Sequence, residues 1–368
     1  VLMGAGEPDF ATPDAVKLAA HRAIDNDQTS YTPLIGEPNL IEAIRSKFSR
    51  DNAISYTPSE ITAAAGAKQV IFNALLASLD SGDEVIVPAP YWSSYVDMVS
   101  VAGGVPVVVP CAERDGFRLT PQALDAALTS RTRWLLLNSP SNPTGTIYST
   151  EDFRGIGEVL ARHPQVWVIS DEIYEHLTYD QRPHVSLISA MPLLKERTLV
   201  VNGVSKSHAM TGWRLGYGAG PEELISAMTV IQSQSTSAPS SISQAAAVEA
   251  LIEVDPCLAE RREVYEHRRN LVIDYLNEIE GLSCASPAGA FYAFVGCGGV
   301  LGKRTAYGES IKSDMDFCRY ALEAHGVAVI PGAAFGMSPY FRLSFAASES
   351  QLRVGMERLQ NAIAELSF

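Results

Sequence analysis

A lysine and an arginine stand close together among small residues in the segment 198–218. Lys206 follows four apolar or β-branched residues, 198–201, which predict a short buried strand. Partial burial lowers the pKa of a lysine, and a neutral amine forms a Schiff base with an aldehyde. Arg214, eight residues further on, can grip a phosphate with two hydrogen bonds. An aldehyde that also carries a phosphate is pyridoxal 5′-phosphate, which enzymes hold on a Schiff-base lysine.

A lone lysine after a strand is more often only a solvated side chain, so this interpretation depends on the neighbouring strands. Short apolar strands alternate with helical segments, the pattern of a mostly parallel sheet covered on both faces. The strands are predicted over residues 61–64, 84–87, 105–109, 134–137, 166–169 and 198–201. Ligands of such sheets bind beyond the carboxyl ends of the strands. The chemistry-bearing residues expected there are Gly66, Ala67, Lys68, Trp92, Asn142, Asp171, Tyr174, Ser205 and Lys206.

Four of these side chains match the needs of a pyridine ring. Asp171 could keep the ring nitrogen protonated, or it could be only a helix N-cap. Asn142 and Tyr174 could donate to the phenolic oxygen, although Asn142 before Pro143 could equally be a turn residue. Trp92 could stack on the ring or belong to the ordinary core. Each residue is ambiguous alone, and the argument rests on their arrival at one edge of one sheet.

A phosphate group has a matching set at the same edge. Gly66, Ala67 and Lys68 open a predicted helix, whose first backbone N–H groups can bind an anion. Ser205 and Arg214 would complete the phosphate site.

The remaining pattern predicts helices before the first strand and a second domain after the last. A helix is expected over residues 15–26 with Thr12 as its N-cap, and another over residues 40–50. A long helical region follows Pro221 to about residue 279, with interruptions at Pro239 and Pro256. Strands over 289–294, 327–330 and 340–345 alternate with helices over 314–325 and 349–366, which indicates an α+β domain.

Composition limits the classes of protein and partner. A chain of 368 residues with 46% hydrophobic and 19% charged residues predicts a soluble globular protein of two domains. The net charge of −14 argues against nucleic acid or an anionic membrane as a partner. Five scattered cysteines without a CxxC pair predict neither a metal site nor disulfides, and hence a reducing, cytoplasmic location. The opening residues lack the pattern of a signal peptide and are typical of a strand entered midway.

Five motifs resemble those of class I aminotransferases of fold type I, in the same order. They are PYW (90–92), NSPSNPTG (138–145), SDEIYEHLTY (170–179), SKSHAMTGWRLGYGAG (205–220) and FRLSFA (341–346). The resemblance covers essentially the whole chain and is closest to the bacterial aspartate and aspartate/prephenate aminotransferases. It implies the PLP-transferase fold type I, an α/β fold whose large domain holds a mostly parallel seven-stranded sheet flanked by helices. The large domain is expected over residues 15–260, and the small α+β domain over residues 1–14 and 261–368.

The resemblance also implies roles at the cofactor. Lys206 forms the Schiff base and then acts as general base and acid, while Asp171 pairs with the pyridinium nitrogen. Tyr174 and Asn142 bind the phenolate oxygen, and Trp92 stacks on the ring. The phosphate is held by Gly66, Ala67, Lys68, Ser205 and Arg214.

The substrate and the partner subunit follow from the same resemblance. Arg342 matches the arginine that clamps the substrate α-carboxylate, and the backbone of Gly6 meets the same group. Trp92 and Asn142 also line the substrate position. Lys68 resembles the lysine that recognises a distal carboxylate, although a helix-start lysine facing solvent is the plainer alternative. Tyr31 resembles the tyrosine that reaches the phosphate of a neighbouring subunit, which implies a homodimer with shared sites.

The implied reaction is a ping-pong transamination between L-aspartate and 2-oxoglutarate, which gives oxaloacetate and L-glutamate. A prephenate or aromatic-amino-acid aminotransferase, or a lyase, on the same scaffold is the alternative. A cofactor-sensing transcription regulator is disfavoured, because no basic helix-turn-helix segment precedes AGEPDF (5–10). Two residues depart from the family pattern: Ala67 stands at a common glycine, and His208 stands at a common aromatic residue and is expected to be a packed loop histidine. The family's N-terminal arm, implicated in prephenate use, has no counterpart in this sequence, so prephenate use stays open.

Overall fold

A seven-stranded sheet forms the centre of the protein in a computed structural model, which describes residues 1–252 and 256–367. Its strand order is β1-β7-β6-β5-β4-β2-β3. Neighbouring strands from β3 through β6 pair in parallel, and only β7 runs antiparallel to both of its neighbours. The strands are β1 (Ile61–Ala64), β2 (Glu84–Ala89), β3 (Val105–Pro110), β4 (Thr132–Asn138), β5 (Trp167–Asp171), β6 (Thr198–Gly203) and β7 (Gly216–Ala219). The predicted mostly parallel, seven-stranded sheet is confirmed.

Helices cover both faces of this sheet because its strands are apolar on both sides. In β6, Leu199 and Val201 pack on one face and Val200 packs on the other. The α-helices of residues 14–252 are α1 (Asp14–Asp25), α2 (Pro38–Asn52), α3 (Ala67–Ser78), α4 (Ser94–Val101), α5 (Pro121–Ala127), α6 (Thr150–Ala161), α7 (Leu187–Ala190), α8 (Glu222–Ser235) and α9 (Ser241–Ile252). A parallel sheet whose faces are both buried needs such near-continuous apolar strands.

A second, three-stranded antiparallel sheet has the order β8-β10-β9. It contains β8 (Tyr292–Gly296), β9 (Ile330–Pro331) and β10 (Tyr340–Ser344), and it packs with α10 (Cys257–Glu278), α11 (Asp314–His325) and α12 (Glu349–Ala364). The N-terminal residues join this unit, since Met3 N donates to Ala328 O at 2.9 Å and Ser344 N donates to Met3 O at 2.7 Å. These contacts place the N-terminal residues with the second unit. The division into residues 15–260 and residues 1–14 with 261–368 stays a prediction.

Three details of the predicted elements change. The strand predicted over residues 327–330 is instead the short strand β9 (Ile330–Pro331). Thr12 does not cap α1: the N-cap is Pro13, which makes no side-chain cap, and the Thr12 hydroxyl instead donates to Ala209 O at 2.9 Å. The predicted long helical region is divided into α8, α9 and α10, and its residues 253–255 lie outside the described residues. Within the described ranges, no helix is both long and apolar enough to span a membrane.

Strand β7 has no apolar run to predict it, because its sequence is Gly-Tyr-Gly-Ala. Its first glycine is required by a close approach. A Cβ on Gly216 would lie 2.1 Å from the backbone nitrogen of Ala67, at the start of α3. The small residues of β7 therefore bring the β1–α3 turn next to the lysine segment.

Candidate active site

A cavity of about 520 Å³ lies where the carboxyl ends of β4, β5 and β6 face the second unit. The residues predicted for the site that line this cavity are Gly6, Ala67, Lys68, Trp92, Asn142, Asp171, Tyr174, Ser205, Lys206, Arg214 and Arg342. Parallel strands place their carboxyl ends at one edge of a sheet, which explains why segments far apart in sequence meet here. Gly66 and Tyr31 do not line it.

The amine of Lys206 is largely buried in the loop that follows β6. Its Nζ donates to the carbonyl of Gly6 at 2.6 Å. Burial lowers the pKa of Lys206 to about 8, and the carboxylate of Glu7 opposes this shift. A minor fraction of the amine is therefore neutral near physiological pH, which is still far more than in an ordinary lysine, and the neutral amine is the form that a nucleophile or a base requires.

Asp171 is the last residue of β5 and is 4% exposed. Burial raises the pKa of its carboxyl to about 6, while a hydrogen bond from the Tyr95 hydroxyl at 2.6 Å works against this shift. The backbone N–H of Ile173 donates to the other oxygen at 3.2 Å. No α-helix begins after Asp171, because residues 173–176 form a turn. The alternative of a helix N-cap is therefore wrong.

Asn142 and Arg342 are joined across the cavity. The Asn142 Oδ1 accepts a hydrogen bond from Arg342 Nη1 at 2.8 Å, and Arg342 Nη2 donates to Gly4 O at 2.8 Å. Asn138, at the end of β4, orients Asn142 by accepting from its backbone N–H at 2.8 Å. The Nε of Arg342 is buried and has no hydrogen-bond partner among the described residues. That donor is available to an anion.

Tyr174 and Tyr292 form the wall beside these groups. Their hydroxyl oxygens are 2.9 Å apart, and the guanidinium of Arg342 lies 4.3 Å from the centroid of the Tyr292 ring. Burial raises the pKa of Tyr174 well above its ordinary value, so its hydroxyl keeps its proton. A Cβ on Gly6 would lie 2.9 Å from the Tyr292 hydroxyl oxygen, so glycine keeps this wall open.

The start of α3 and Arg214 form a second basic corner. Gly66 has a φ of +97°, and a Cβ there would lie 2.2 Å from Arg214 Nη2. Arg214 Nη1 donates to Thr211 O at 2.9 Å, and Nη2 donates to Ala65 O at 3.1 Å. Gly66 thus shapes the corner without lining the cavity. Ala67 is the first residue of α3, where a helical backbone accommodates a methyl group.

Lys68 and Trp92 close the outer side of the cavity. The ammonium of Lys68 lies 4.7 Å from the centroid of the Trp92 ring. The Trp92 ring in turn packs edge-on against Tyr95, with the centroids 5.3 Å apart. Lys68 is exposed and also lines the cavity, so its contact with a distal carboxylate stays a prediction.

Two predicted residues lie apart from this cavity. Tyr31 is 98% exposed and lines a separate cleft of about 460 Å³ on the outer surface. His208 is buried, and its Nδ1 is 2.8 Å from the Ser207 hydroxyl oxygen, which agrees with a packed loop histidine.

The sequence argument missed several residues of the site: Glu7, Tyr95, Asn138, Ile173, Thr211 and Tyr292. Tyr95 lies one helical turn after Trp92, a spacing that signals a shared face. Glu7 and Thr211 lie inside quoted motifs, and the Thr211 hydroxyl donates to the Glu7 carboxylate. Tyr292 has no signal in the sequence, because it reaches the site only when the second unit packs on the first.

Taken together, a largely buried amine, a buried carboxylate and two guanidinium groups define an enzyme site for anionic substrates and for chemistry between amines and carbonyl groups. A sequence model of the family described as aminotransferase class I and II matches residues 1–359, and the chain belongs to this family.

Individual relatives agree with this result. The chain is 56% identical to the aspartate aminotransferase of Rhizobium meliloti (strain 1021) over 367 residues, which cover 100% of this chain and 90% of the relative. It is 52% identical to the aspartate/prephenate aminotransferase of Cereibacter sphaeroides, over 99% of this chain and 91% of the relative.

Solved structures give the same answer for the fold. The crystal structure of the aspartate aminotransferase from Rhizobium meliloti has a TM-score of 0.98 and covers 100% of this chain and 92% of that one, at 56% identity. The aspartate aminotransferase from Thermus thermophilus with maleate has a TM-score of 0.91 at 42% identity, with 98% of this chain and 91% of that one covered. The aminotransferase fold expected from the resemblance is confirmed.

Proposed function

We propose that the protein binds pyridoxal 5′-phosphate in this cavity and transfers the amino group of L-aspartate to 2-oxoglutarate. The products are oxaloacetate and L-glutamate. The observation that carries the proposal is the convergence of Lys206, Asp171, Arg214 and Arg342 on one cavity. The relatives named aspartate aminotransferase support it.

The residues present fit the cofactor. Arg214 and the first N–H groups of α3 form a corner of positive potential suited to the phosphate, with the buried Ser205 beside it. Asp171 is a buried carboxylate suited to a protonated ring nitrogen, and Asn142 is suited to the ring oxygen. Trp92 offers a flat face for the ring. Because Gly66 has no side chain, the guanidinium of Arg214 can occupy the space that a Cβ at residue 66 would need.

Bound pyridoxal phosphate would supply an aldehyde that condenses with amines and a ring that accepts electrons from the substrate Cα. Lys206 Nζ, partly neutral because its pKa is lowered to about 8, acts as the nucleophile and as the base that takes the proton from the substrate Cα. Asp171 would hold the proton of the ring nitrogen in place. Burial of both groups excludes water, which strengthens each of these interactions.

Two cations define a dicarboxylic substrate. Arg342 has a free buried Nε and would bind the α-carboxylate with it, while Asn142 and Gly4 fix the other end of the guanidinium. Lys68, at the outer side of the cavity, would bind the distal carboxylate. Aspartate, glutamate and their 2-oxo acids all carry both carboxylates, so one site serves both half-reactions in turn. The related Thermus structure with maleate, a dicarboxylate, is consistent with this arrangement.

A panel of amino acids tests the proposal directly. Purified protein loaded with pyridoxal phosphate is mixed with one amino acid at a time, and the visible absorbance of the bound cofactor is followed. L-Aspartate and L-glutamate should bleach the absorbance rapidly, and neutral aliphatic amino acids should act much more slowly. Failure of every amino acid to change the absorbance would contradict the proposal.

Replacement of Lys68 tests the distal carboxylate. In Lys68→Ala, kcat/KM for aspartate should fall by about 10- to 100-fold, because a charged hydrogen bond is worth about 1.5–3 kcal/mol. Activity with phenylalanine should change little. Arg342→Ala is the matched comparison, since loss of the α-carboxylate contact should weaken every amino acid alike. Equal losses for aspartate and phenylalanine in Lys68→Ala would remove the specificity role of Lys68.

Prephenate is the second candidate amino acceptor, because a 52% identical relative carries the name aspartate/prephenate aminotransferase. Prephenate also has two carboxylates, which Arg342 and Lys68 could pair with in the same way. Protein already charged with an amino group by glutamate should be discharged by prephenate at a rate comparable to 2-oxoglutarate. Discharge by 2-oxoglutarate alone would restrict the function to aspartate.

We further propose a cytoplasmic homodimer with shared sites. Tyr31 is nearly completely exposed, so its side chain is accessible to a partner subunit, as the resemblance implies. The free thiols of Cys111, Cys284, Cys297 and Cys318 support a reducing compartment.

A further inference from the structure

The turn after β5 has one face toward the cavity and one face away from it. Asp171 and Tyr174 face the cavity, while Glu172 and Glu175 are buried away from it. The turn is held by backbone hydrogen bonds, from Glu175 N to Glu172 O and from Leu177 N to Tyr174 O. Any force that fixes the two glutamates therefore also fixes Asp171 and Tyr174.

Glu175 is held by two residues of α2. The ammonium of Lys47 contacts Glu175 Oε1, and Asn52 Nδ2 donates to Oε2 at 2.8 Å. Lys47 Nζ also donates to Asn52 Oδ1 at 2.7 Å, which closes a triangle. Lys47 is 1% exposed and Glu175 is 5% exposed. Burial opposes ionisation of Glu175, yet Lys47 and the neighbouring His176 hold the pKa of its carboxyl well below the ordinary value.

Glu172 is fixed independently. Its Oε1 accepts hydrogen bonds from the hydroxyls of Ser170 and Ser186, each at 2.8 Å, and its Oε2 is 2.9 Å from His184 Nε2. Glu172 is 1% exposed. The ammonium of Lys47, which contacts Glu175, also lies 4.0 Å from Asp51 Oδ2, so it faces two carboxylates.

Stability alone does not account for such an ion pair. Removing two charges from water costs as much as their attraction returns, and apolar replacements of buried ion pairs are often neutral or stabilising. An ion pair does, however, restrict the direction of its partners more than apolar contacts do. We infer that Lys47 and Glu175 are positioning residues of the aminotransferase site, which hold the 171–177 turn so that Asp171 and Tyr174 face the cofactor. This inference rests on the proposed function.

The inference predicts changes in cofactor affinity and kcat but not in the KM for aspartate. Asp171 and Tyr174 would contact the cofactor, whereas Arg342 and Lys68 would contact the substrate carboxylates. A displaced turn should therefore raise the dissociation constant of pyridoxal phosphate and lower kcat, each by about 10- to 100-fold, because misplacement by about 1 Å has effects of this size. The KM for aspartate should stay within about threefold of the parent value.

The test uses the full chain in three variants, Glu175→Gln, Lys47→Met and the double variant. Each single change removes the main partner of one buried charge and should lower the melting temperature. Glu175 then keeps the His176 ring, at 3.3 Å, and Lys47 keeps the Asp51 carboxylate, at 4.0 Å. The double variant leaves neither charge and should recover most of that stability. Glu84→Gln is the matched control, because Glu84 is also 5% exposed and accepts from Arg131 and Thr129 at the opposite end of the sheet.

The readouts are melting temperature, the dissociation constant of pyridoxal phosphate, the pH at which the visible absorbance of the bound cofactor changes, and kcat and KM. The double variant should be folded yet bind the cofactor weakly and change its absorbance at a shifted pH. Glu84→Gln should be less stable than the parent protein but should bind the cofactor with parental affinity.

Parental cofactor affinity, absorbance and kcat in the folded double variant would overturn the inference. If the parent protein itself does not bind pyridoxal phosphate, the proposed function fails instead, and the two failures are distinguishable.

Discussion

At the scale of single residues, burial drives the two central titrating groups toward neutral pH from opposite sides. It lowers the pKa of Lys206 to about 8 and raises the pKa of Asp171 to about 6. In water the two values differ by more than 6 units. The same cavity therefore makes the amine a better nucleophile and leaves the carboxyl sensitive to each hydrogen bond that it accepts.

The titration of Lys206 predicts the pH dependence of cofactor attachment. Only the neutral amine attacks an aldehyde, so the rate at which cofactor-free protein takes up pyridoxal phosphate should rise about tenfold per pH unit below the pKa and level off above it. With a pKa of about 8, the plateau should begin near pH 8. Stopped-flow absorbance measures this rate. A rate that keeps rising to the pKa of an ordinary lysine would contradict the prediction.

Glu7 offers a control for the same measurement. Its carboxylate raises the pKa of Lys206, so Glu7→Gln should move the midpoint of the rate profile to lower pH. Lys206→Ala should show no attachment and no turnover at any pH.

Tyr95→Phe is predicted to move the titration of Asp171 to higher pH. The Tyr95 hydroxyl donates to the carboxylate and favours its charged form, so its removal should raise the pKa of Asp171 further above about 6. Ionised Asp171 is the form that pairs with a protonated ring nitrogen. The affinity for pyridoxal phosphate should therefore begin to fall at a higher pH in Tyr95→Phe than in the parent protein, by about one pH unit or more.

Binding titrations at a series of pH values below 8 measure this shift. Tyr148→Phe is the control, because Tyr148 is also buried but accepts its hydrogen bond from Leu119 N, outside the site. An unchanged pH profile in Tyr95→Phe would show that the hydroxyl does not control Asp171.

The sequence predicted those residues of the site whose position follows from a strand end. Lys206, Asp171 and Asn142 belong to this class, since each follows an apolar run by a few residues. Tyr292 and the free Nε of Arg342 could not be predicted, because their geometry depends on how the second unit packs. The predicted N-cap at Thr12 was wrong for a similar reason, because its hydroxyl donates to Ala209 O, far away in sequence, and not to its own helix.

At the scale of elements, the strands of the seven-stranded sheet that have continuous apolar runs were predicted to within about two residues at each end, whereas the strand predicted over residues 327–330 was wrong in extent. β1 and the helix α11 agree completely with the predicted ranges, and β6 extends two residues further. β7 was missed because its sequence carries no apolar pattern, only two glycines beside a tyrosine and an alanine. Its strand conformation comes from pairing with β1 and β6 on both sides, which a local pattern does not contain.

The β1–α3 turn gives a prediction at this scale. Gly66→Ala adds a methyl group at a φ of +97° and 2.2 Å from Arg214 Nη2, so it should both strain the backbone and displace the guanidinium. The free energy of unfolding should fall by about 1–2 kcal/mol. The dissociation constant of pyridoxal phosphate should rise by about tenfold or more, because a charged hydrogen bond is lost.

Gly82→Ala separates these two effects. Gly82 has a similar φ of +91°, but a Cβ there would meet nothing within 4 Å. It should lose stability by a similar amount and keep parental cofactor affinity. Equal cofactor affinity in the two variants would show that Gly66 acts only through the backbone and not through Arg214.

At the scale of the whole molecule, the two units share one apolar core beside the cavity. Tyr174 and Leu177, which follow β5, pack in the same cluster as Phe291 and Leu343 of the second unit. Met3 of the N-terminal segment completes this cluster. The cavity is therefore closed on one side by a junction between units, which explains why residues near both ends of the chain, Gly6 and Arg342, reach it.

The proposed shared site predicts complementation between two defective proteins. Tyr31 is 98% exposed and lies outside the cavity of its own chain, so a role at the phosphate requires a partner subunit. Tyr31→Ala should weaken cofactor binding by about tenfold, through loss of a hydrogen bond to a charged group, and Lys206→Ala should be inactive.

In a mixed dimer, the Tyr31→Ala subunit keeps Lys206 and receives Tyr31 from its partner, so one site is complete. Equal mixing after mild dissociation should restore about one quarter of parental activity, because half of the dimers are mixed and each has one complete site. Activity at limiting pyridoxal phosphate, with sedimentation to verify the dimer, measures this outcome. Two outcomes would show that each site is built from one chain alone. One is a monomer in solution, and the other is a mixture no more active than the average of the two unmixed variants.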